Sequence, residues 1–132
     1  MVKVFISHSY DDHEYADELR EALAKLQIGG RFDLVETASY DTLFQVIRER
    51  LEAADAVIIL LSKQALASSW VMVELGAAQA LGKKVVPIVL ADTDVDKLDF
   101  IEKDRTMLDA RTLSPSMIAR RIEQLITEDS NE

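Results

Sequence analysis

Trp70 and Glu74 lie four residues apart, in the segment SWVMVEL of residues 69–75. On an α-helix, residues at this spacing share one face. Glu74 is flanked by apolar residues, so burial would strip water from its carboxylate and raise its pKa, as in many catalytic carboxylates. The spacing is equally compatible with a structural pair, in which Trp70 packs in the core and Glu74 binds a lysine or arginine. The segment alone leaves both interpretations open.

Missing residue types exclude several other kinds of site. The chain has no cysteine, which excludes disulfides, thiolate metal sites and cysteine nucleophiles. His8 and His13 are the two histidines, and with no other histidine to join them we expect no metal site. The loop of residues 7–12 contains no glycine, which argues against the glycine-rich loops that bind phosphate groups.

Length and charge indicate the class of protein. The 132 residues predict one domain, 1–132, of ordinary globular composition. Fifteen lysines and arginines against 24 aspartates and glutamates give a net charge of −9, which repels nucleic-acid phosphates. No apolar run reaches the ~20 residues that cross a bilayer, and the first residues lack the features of a signal peptide. We expect a cytoplasmic protein that neither binds nucleic acid nor inserts into a membrane.

Strand and helix patterns alternate along the chain. Short apolar runs predict five strands: Val2–Ser7, Arg31–Glu36, Ala56–Leu61, Val85–Leu90 and Thr106–Leu108. Helical periodicity predicts three helices in this part of the chain. The first is capped by Asp11 or Asp12 and ended by Gly29-Gly30, and the second ends near Ala54. The third spans residues 70–81 and is ended by Gly82. A last helix begins at Ser114-Pro115, and residues 127–132 are predicted to be a frayed tail.

This alternation predicts an α/β fold. We expect a doubly wound, flavodoxin-like parallel sheet of five strands in the order 2-1-3-4-5, with helices on both faces. Ala56–Leu61 is apolar at every position, which is typical of a central strand. Pro87 removes a donor from the fourth strand and suggests a bulge or a weakly paired neighbour. Ligands are expected at the carboxyl ends of the strands.

A phosphorelay receiver domain has the same architecture and size. Such a domain needs an acidic pair directly after the first strand, an aspartate at the end of the third and a lysine after the fifth. Here the third strand ends in Leu61-Ser62, and no lysine follows Met107-Leu108. The receiver interpretation therefore fails.

Four segments resemble, in order, the sequence boxes of the Toll/interleukin receptor (TIR) domain family. The run FISHS at residues 5–9 resembles the opening box, and residues 57–62 resemble the central strand ending in leucine-serine. Residues 69–75 resemble the helix box with its tryptophan and glutamate, and residues 82–88 resemble the glycine-lysine, valine-x-proline-isoleucine strand. The resemblance extends over nearly the whole chain and implies one TIR-like domain.

What the resemblance implies is an enzyme that splits NAD at the nicotinamide–ribose bond. Glu74 takes the place of the family's catalytic glutamate, where a carboxylate would stabilise an oxocarbenium-like state. NAD is then the substrate and no cofactor is expected. The residues matched to substrate binding are His8, Ser9, Tyr10, Glu36 and Trp70. Lys63 and Arg105 are the nearest candidates for contacting the phosphates of NAD.

The resemblance also implies a partner. In TIR assemblies, a neighbouring domain is contacted by the loop after the second strand, and activity is expected to depend on such homotypic self-association, as in bacterial defence or virulence. Here that loop, Glu36–Asp41, lacks the usual proline-glycine or acid-rich turn, so the assembly geometry stays open. The alternative is a non-catalytic TIR adaptor that acts through protein–protein contacts. Retention of Trp70 and Glu74 favours the enzyme, whose product could be ADP-ribose or a cyclic isomer.

Overall fold

The computed structural model describes residues 2–31, 40–91, 93 and 107–130. Its strands are β1 (Val2–Ser7), β2 (Ile28–Arg31), β3 (Ala56–Leu61), β4 (Val85–Val89) and β5 (Leu108–Asp109). They form one sheet in the order β2-β1-β3-β4-β5, and every neighbouring pair is parallel. The doubly wound fold and the strand order predicted from the sequence are confirmed.

The described helices are α1 (His13–Lys25), α2 (Tyr40–Ala53), α3 (Lys63–Leu66), α4 (Ser69–Ala80) and α5 (Pro115–Ser130). At the start of α5, the hydroxyl of Ser114 accepts a hydrogen bond from the Met117 N–H at 3.3 Å, as the sequence predicted. The helix runs on to Ser130, which includes the first four residues of the segment 127–132 that was predicted to be a frayed tail. Once the apolar face has anchored a helix, each further residue adds a hydrogen bond. Within the described residues no helix is both long and apolar enough to cross a bilayer.

The sheet separates two apolar cores. Alternate residues of a strand face opposite sides, and in β1 Val4 and Ile6 pack with α1 and α5. Phe5 faces the other way, into the core beneath α2, α3 and α4. Ser7 follows Phe5 by two positions, so the last residue of β1 points towards that second core.

β3 is the centre of the sheet. It pairs with β1 on one side and β4 on the other, and all six of its residues are buried. Its uninterrupted apolar sequence therefore reflects burial on both faces. The prediction that Ala56–Leu61 is central is confirmed.

Pro87 fits in β4 without a bulge. The register with β3 is continuous through the pair Ile59 and Pro87. The Leu90 N–H donates to the Leu61 carbonyl, while the Val89 carbonyl accepts from the Ala110 N–H. The backbone N–H and C=O groups of the odd-numbered residues of β4 therefore point towards β5. The missing N–H of Pro87 therefore faces the two-residue β5, which is paired only with residues 88 and 89. The weakly paired neighbour was the correct alternative.

The end of α1 differs from the prediction. Gln27, with φ 64°, takes the left-handed position that was assigned to Gly29-Gly30. Both glycines belong to β2, which begins at Ile28 and not at Arg31. A Cβ on Gly30 would lie 3.1 Å from Arg20 Cγ and 3.2 Å from Ile6 Cδ1. Glycine at this position thus allows the close approach of α1 to the sheet. The remainder of the predicted strand, residues 32–36, lies outside the described residues.

Candidate active site

Glu74 lies in the second turn of α4, over the sheet. The helix is capped by Ser68, whose hydroxyl accepts a hydrogen bond from the Val71 N–H at 3.3 Å. It is followed by Gly82, whose φ of 68° is the left-handed conformation predicted for the residue that ends it. These two signals set the ends of α4, and the packing of the helix on the sheet leaves Glu74 only 2% exposed.

The carboxylate of Glu74 is bound by the last residue of β1. Ser7 Oγ donates a hydrogen bond to Glu74 Oε1 at 2.7 Å, and both side chains are buried. Because β1 lies between β2 and β3, its carboxyl end is the point where the strand order reverses. Doubly wound proteins bind their ligands at that point.

Burial controls the protonation of Glu74. It raises the pKa of the carboxyl from 4.5 to about 7, and it outweighs the Ser7 hydrogen bond and the positive charge of Arg50, which both lower the pKa. A carboxyl with this pKa exchanges its proton near neutral pH. When ionised, it is a weakly hydrated negative charge that can stabilise a positive charge forming beside it.

Arg50, in the last turn of α2, acts on Glu74 through its charge. Among the described residues no lysine or arginine forms an ion pair with Glu74. The structural alternative drawn from the sequence assigned Glu74 such a partner. In the structure, a neutral hydroxyl is bound there instead.

Trp70 is one helical turn before Glu74. It is partly buried and packs against the core that contains Phe5, Val57 and Leu75. The pair therefore combines one feature of each interpretation, because Trp70 contributes to the core while Glu74 lacks an ion-pair partner within the described chain.

His8 and His13 form a stacked pair beside the end of β1. His8 Nδ1 lies 3.3 Å from the Ile6 carbonyl oxygen, which can only accept, so this nitrogen carries the hydrogen. His8 Nε2 lies 3.3 Å from His13 Nδ1, with ring centroids 5.5 Å apart. Burial is the main cause that lowers the pKa of His8. His8 is thus a neutral, fixed ring at pH 7.

Asp12 joins two loops at the carboxyl edge. Its Oδ2 accepts a hydrogen bond from Ser9 Oγ at 2.9 Å and another from Ser62 Oγ, at the end of β3. The prediction that an aspartate side chain caps α1 was wrong. Asp12 occupies the N-cap position, but its carboxylate binds these two hydroxyls and no N–H of the helix. Tyr10, on the single 3-10 turn of residues 10–12, is 70% exposed and is not packed into the site.

The remaining predicted residues are only partly accounted for. Glu36 and Arg105 lie outside the described residues. Lys63 is exposed at the start of α3, next to Ser62. Within the described residues, no group of three histidine, aspartate or glutamate side chains is arranged to hold a metal ion.

Inspection of the sequence missed three interactions at the site: the hydrogen bond from Ser7 to Glu74, the one from Ser62 to Asp12, and the effect of the Arg50 charge on Glu74. Ser7 is 67 positions from Glu74 in the chain, and Asp12 is 50 positions from Ser62. Arg50 belongs to a helix whose approach to Glu74 depends on packing. A polar residue closing an otherwise apolar strand was the one available signal for Ser7, because burial of its hydroxyl requires a partner.

A family model described as the TIR domain matches residues 4–126 of this chain. A Cytobacillus dafuensis protein, named a candidate cyclic ADP-D-ribose synthase, TIR2, is 28% identical over 114 residues. The match covers 79% of this chain and 30% of that protein, so the chain spans less than a third of its relative.

Solved TIR structures share the fold. The TIR domain of the Toll-related receptor TRR-2 from Hydra magnipapillata has a TM-score of 0.68 at 18% identity, covering 91% of this chain and 97% of that one. The heterodimer of the RPS4 and RRS1 TIR domains gives a TM-score of 0.69 at 19% identity, with 96% of each chain covered. At these identities the likeness concerns the fold alone.

Proposed function

This chain belongs to the TIR domain family, and we propose that it cleaves NAD at the bond between nicotinamide and ribose. The observation that carries the proposal is the Glu74 carboxyl, buried at the reversal point of the sheet with a pKa of about 7. The name of the Cytobacillus dafuensis relative supports the same class of reaction.

Glu74 is proposed as the catalytic residue. When the bond between C1′ of the ribose and the ring nitrogen breaks, both bonding electrons leave with nicotinamide, which departs as a neutral molecule. The ribose is left with oxocarbenium character, and ionised Glu74 stabilises this positive charge. Attack by water gives ADP-ribose and one proton, whereas attack by an adenine nitrogen gives a cyclic isomer. The role assigned to Glu74 is the same on the way to either product.

The proposed pocket lies at the carboxyl edge, above Glu74. By the family resemblance, His8, Ser9 and Tyr10 come from the loop after β1, Trp70 comes from α4, and Glu36 lies at the rim. The fixed His8 ring and the bond between Ser9 and Asp12 support a pre-organised wall. We assign Lys63, exposed at this edge, to the NAD phosphates together with Arg105.

Nicotinamide release by purified protein tests the function. Glu74→Gln preserves the shape of the side chain and an acceptor for Ser7, but it removes the negative charge. We expect the rate to fall roughly a hundred- to a thousandfold, the usual loss for one electrostatic contribution of this kind. Glu21→Gln is the matched control, since this glutamate is exposed on α1.

The adaptor interpretation predicts a different set of results. A non-catalytic TIR domain would release no nicotinamide at any protein concentration, with or without the substitution. Unchanged NAD cleavage by folded Glu74→Gln protein would remove Glu74 from the mechanism. Loss of cleavage in Glu21→Gln protein as well would show that the assay reports a general loss of charge.

A further inference from the structure

Ser7 is a polar residue in a buried position where an apolar one would be expected. It closes the strand VKVFIS and is 1% exposed, and it faces the core that contains Phe5 and Val57. A buried hydroxyl costs free energy unless it is hydrogen-bonded, and its partner is Glu74 Oε1 at 2.7 Å. Two polar groups are thus paired in an apolar layer, an arrangement that packing alone does not require.

Few other side chains around Glu74 can bind its carboxylate. The β3 side chains on the same side of the sheet as α4 are apolar: Val57, Ile59 and Leu61. From α2, Arg50 lowers the pKa of Glu74 through its positive charge. Ser7 is therefore the one hydrogen-bond donor to Glu74 within the described residues. It binds Oε1, which leaves Oε2 as the other oxygen for the substrate.

We propose that Ser7 is the positioning residue for Glu74, and that its hydroxyl holds Oε1 so that Oε2 is directed to the ribose of NAD. This role rests on the proposed NAD cleavage. The backbone of β1 fixes Ser7 through its register with Ile59 of the central strand. The hydroxyl thereby links the orientation of Glu74 to the central strand of the sheet. Ser7 itself does not touch the substrate.

The hydroxyl has a second, measurable effect. A hydrogen bond donated to a carboxylate favours its ionised form. Its loss in Ser7→Ala leaves burial opposed by the Arg50 charge alone, so Glu74 should ionise roughly one pH unit higher. Because the ionised form is the active one, the acidic limb of the pH–rate profile should move upwards by the same amount.

Two measurements on the same variants test this role. In Ser7→Ala, kcat should fall roughly ten- to a hundredfold with KM nearly unchanged. The acidic limb of the pH–rate profile and the ¹³C NMR titration of the Glu74 carboxyl should both shift to higher pH. Ser7→Thr retains a hydroxyl and should keep the limb at the wild-type pH, even if crowding lowers kcat. Thr93→Val is the matched control, because it removes a buried hydroxyl that binds the Leu61 carbonyl and not Glu74.

The outcomes separate this role from the proposed function. If wild-type protein cleaves NAD but Ser7→Ala leaves the limb and the carboxyl titration unmoved, the positioning role is wrong and the NAD-cleaving function stands. A limb shifted equally by Thr93→Val would attribute the effect to general loosening of the sheet edge and would also refute the role. If wild-type protein does not cleave NAD, the proposed function fails and the role fails with it, even where the titration shifts.

Discussion

Glu74 is a carboxylate placed where the surrounding side chains solvate its charge poorly. Burial raises its pKa from 4.5 to about 7 in spite of a hydrogen bond from Ser7 and the nearby charge of Arg50. For folding, a group of this kind is a cost, since ionising it in the native state is harder than ionising it in water. For stabilising an oxocarbenium-like state the same poor hydration is useful, because a charge in such surroundings acts more strongly on its neighbour.

The raised pKa predicts how stability depends on pH. Between pH 4.5 and about 7 the folded chain keeps a proton on Glu74 that the unfolded chain has released. The contribution of Glu74 to the free energy of unfolding is therefore fully present below pH 4.5 and is lost as the pH rises through 7. The full loss is about 3 kcal/mol. The Glu74→Gln protein should thus have the same free energy of unfolding as the wild type at pH 4.5, and one about 1–3 kcal/mol higher at pH 8.

Urea unfolding of the two proteins across this pH range is the measurement. The difference between them must be used, because the lowered pKa of His8 makes stability fall towards acid pH and partly masks the trend in each protein alone. A stability difference that is constant with pH would show that the pKa of Glu74 is the same in the folded and unfolded chains, contrary to the effect of its burial.

At the scale of the elements, a glycine within α4 and the glycine just after its end should respond in opposite ways to the same substitution. An added Cβ would contact nothing within 4 Å at either Gly76 or Gly82, but only Gly82 has a positive φ, 68°. Gly76→Ala in α4 should stabilise the protein by about 0.5–1 kcal/mol. Gly82→Ala should destabilise it by about 1–2 kcal/mol, since alanine is strained in the left-handed conformation.

Thermal unfolding of these two variants checks the pair, and each serves as the control for the other. Equal shifts in Tm for both variants would contradict the assignment of Gly82 as the residue that ends α4.

The elements that the sequence predicted well are those with a strong local signal. The six consecutive apolar residues of β3 and the Ser114-Pro115 start of α5 needed no knowledge of distant contacts. The boundary between α1 and β2 was misplaced because Gly30 serves tertiary packing against Arg20 and Ile6, while Gln27 takes the left-handed turn. Local rules read both glycines as a helix end.

The candidate site divides in the same way. The burial of Glu74 could be predicted, since its neighbours in α4 are apolar. The Ser7 hydrogen bond, the Arg50 charge and the bond from Ser62 to Asp12 could not, because each joins elements whose proximity depends on the folded sheet. The side chain of Asp12 matched a cap signal, but two hydroxyls brought by the fold compete with the helix for its carboxylate.

At the scale of the whole molecule, the burial of Glu74 and the TIR fold suggest the same regulation. Glu74 is 2% exposed in the single chain, so a substrate would reach it only after side chains at the carboxyl edge move. The RPS4 and RRS1 TIR domains, which share this fold, form a heterodimer. We propose that association with a second TIR domain favours the open edge, and that the isolated domain is therefore weakly active. The net charge of −9 opposes such association at low ionic strength.

Mixing active and inactive copies tests this proposal directly. A low, fixed concentration of wild-type protein is supplemented with increasing amounts of Glu74→Gln protein, and nicotinamide release is followed. Glu74 is buried, so the substitution leaves the surface available for association unchanged. The inactive copies should therefore raise the turnover of the wild-type copies severalfold, and more strongly at physiological than at low salt, where repulsion between the acidic domains is less screened.

An unrelated acidic protein at the same mass concentration controls for crowding and should have little effect. Turnover per wild-type molecule that does not change as inactive copies are added would show that each domain works alone, and that its carboxyl edge opens without a partner.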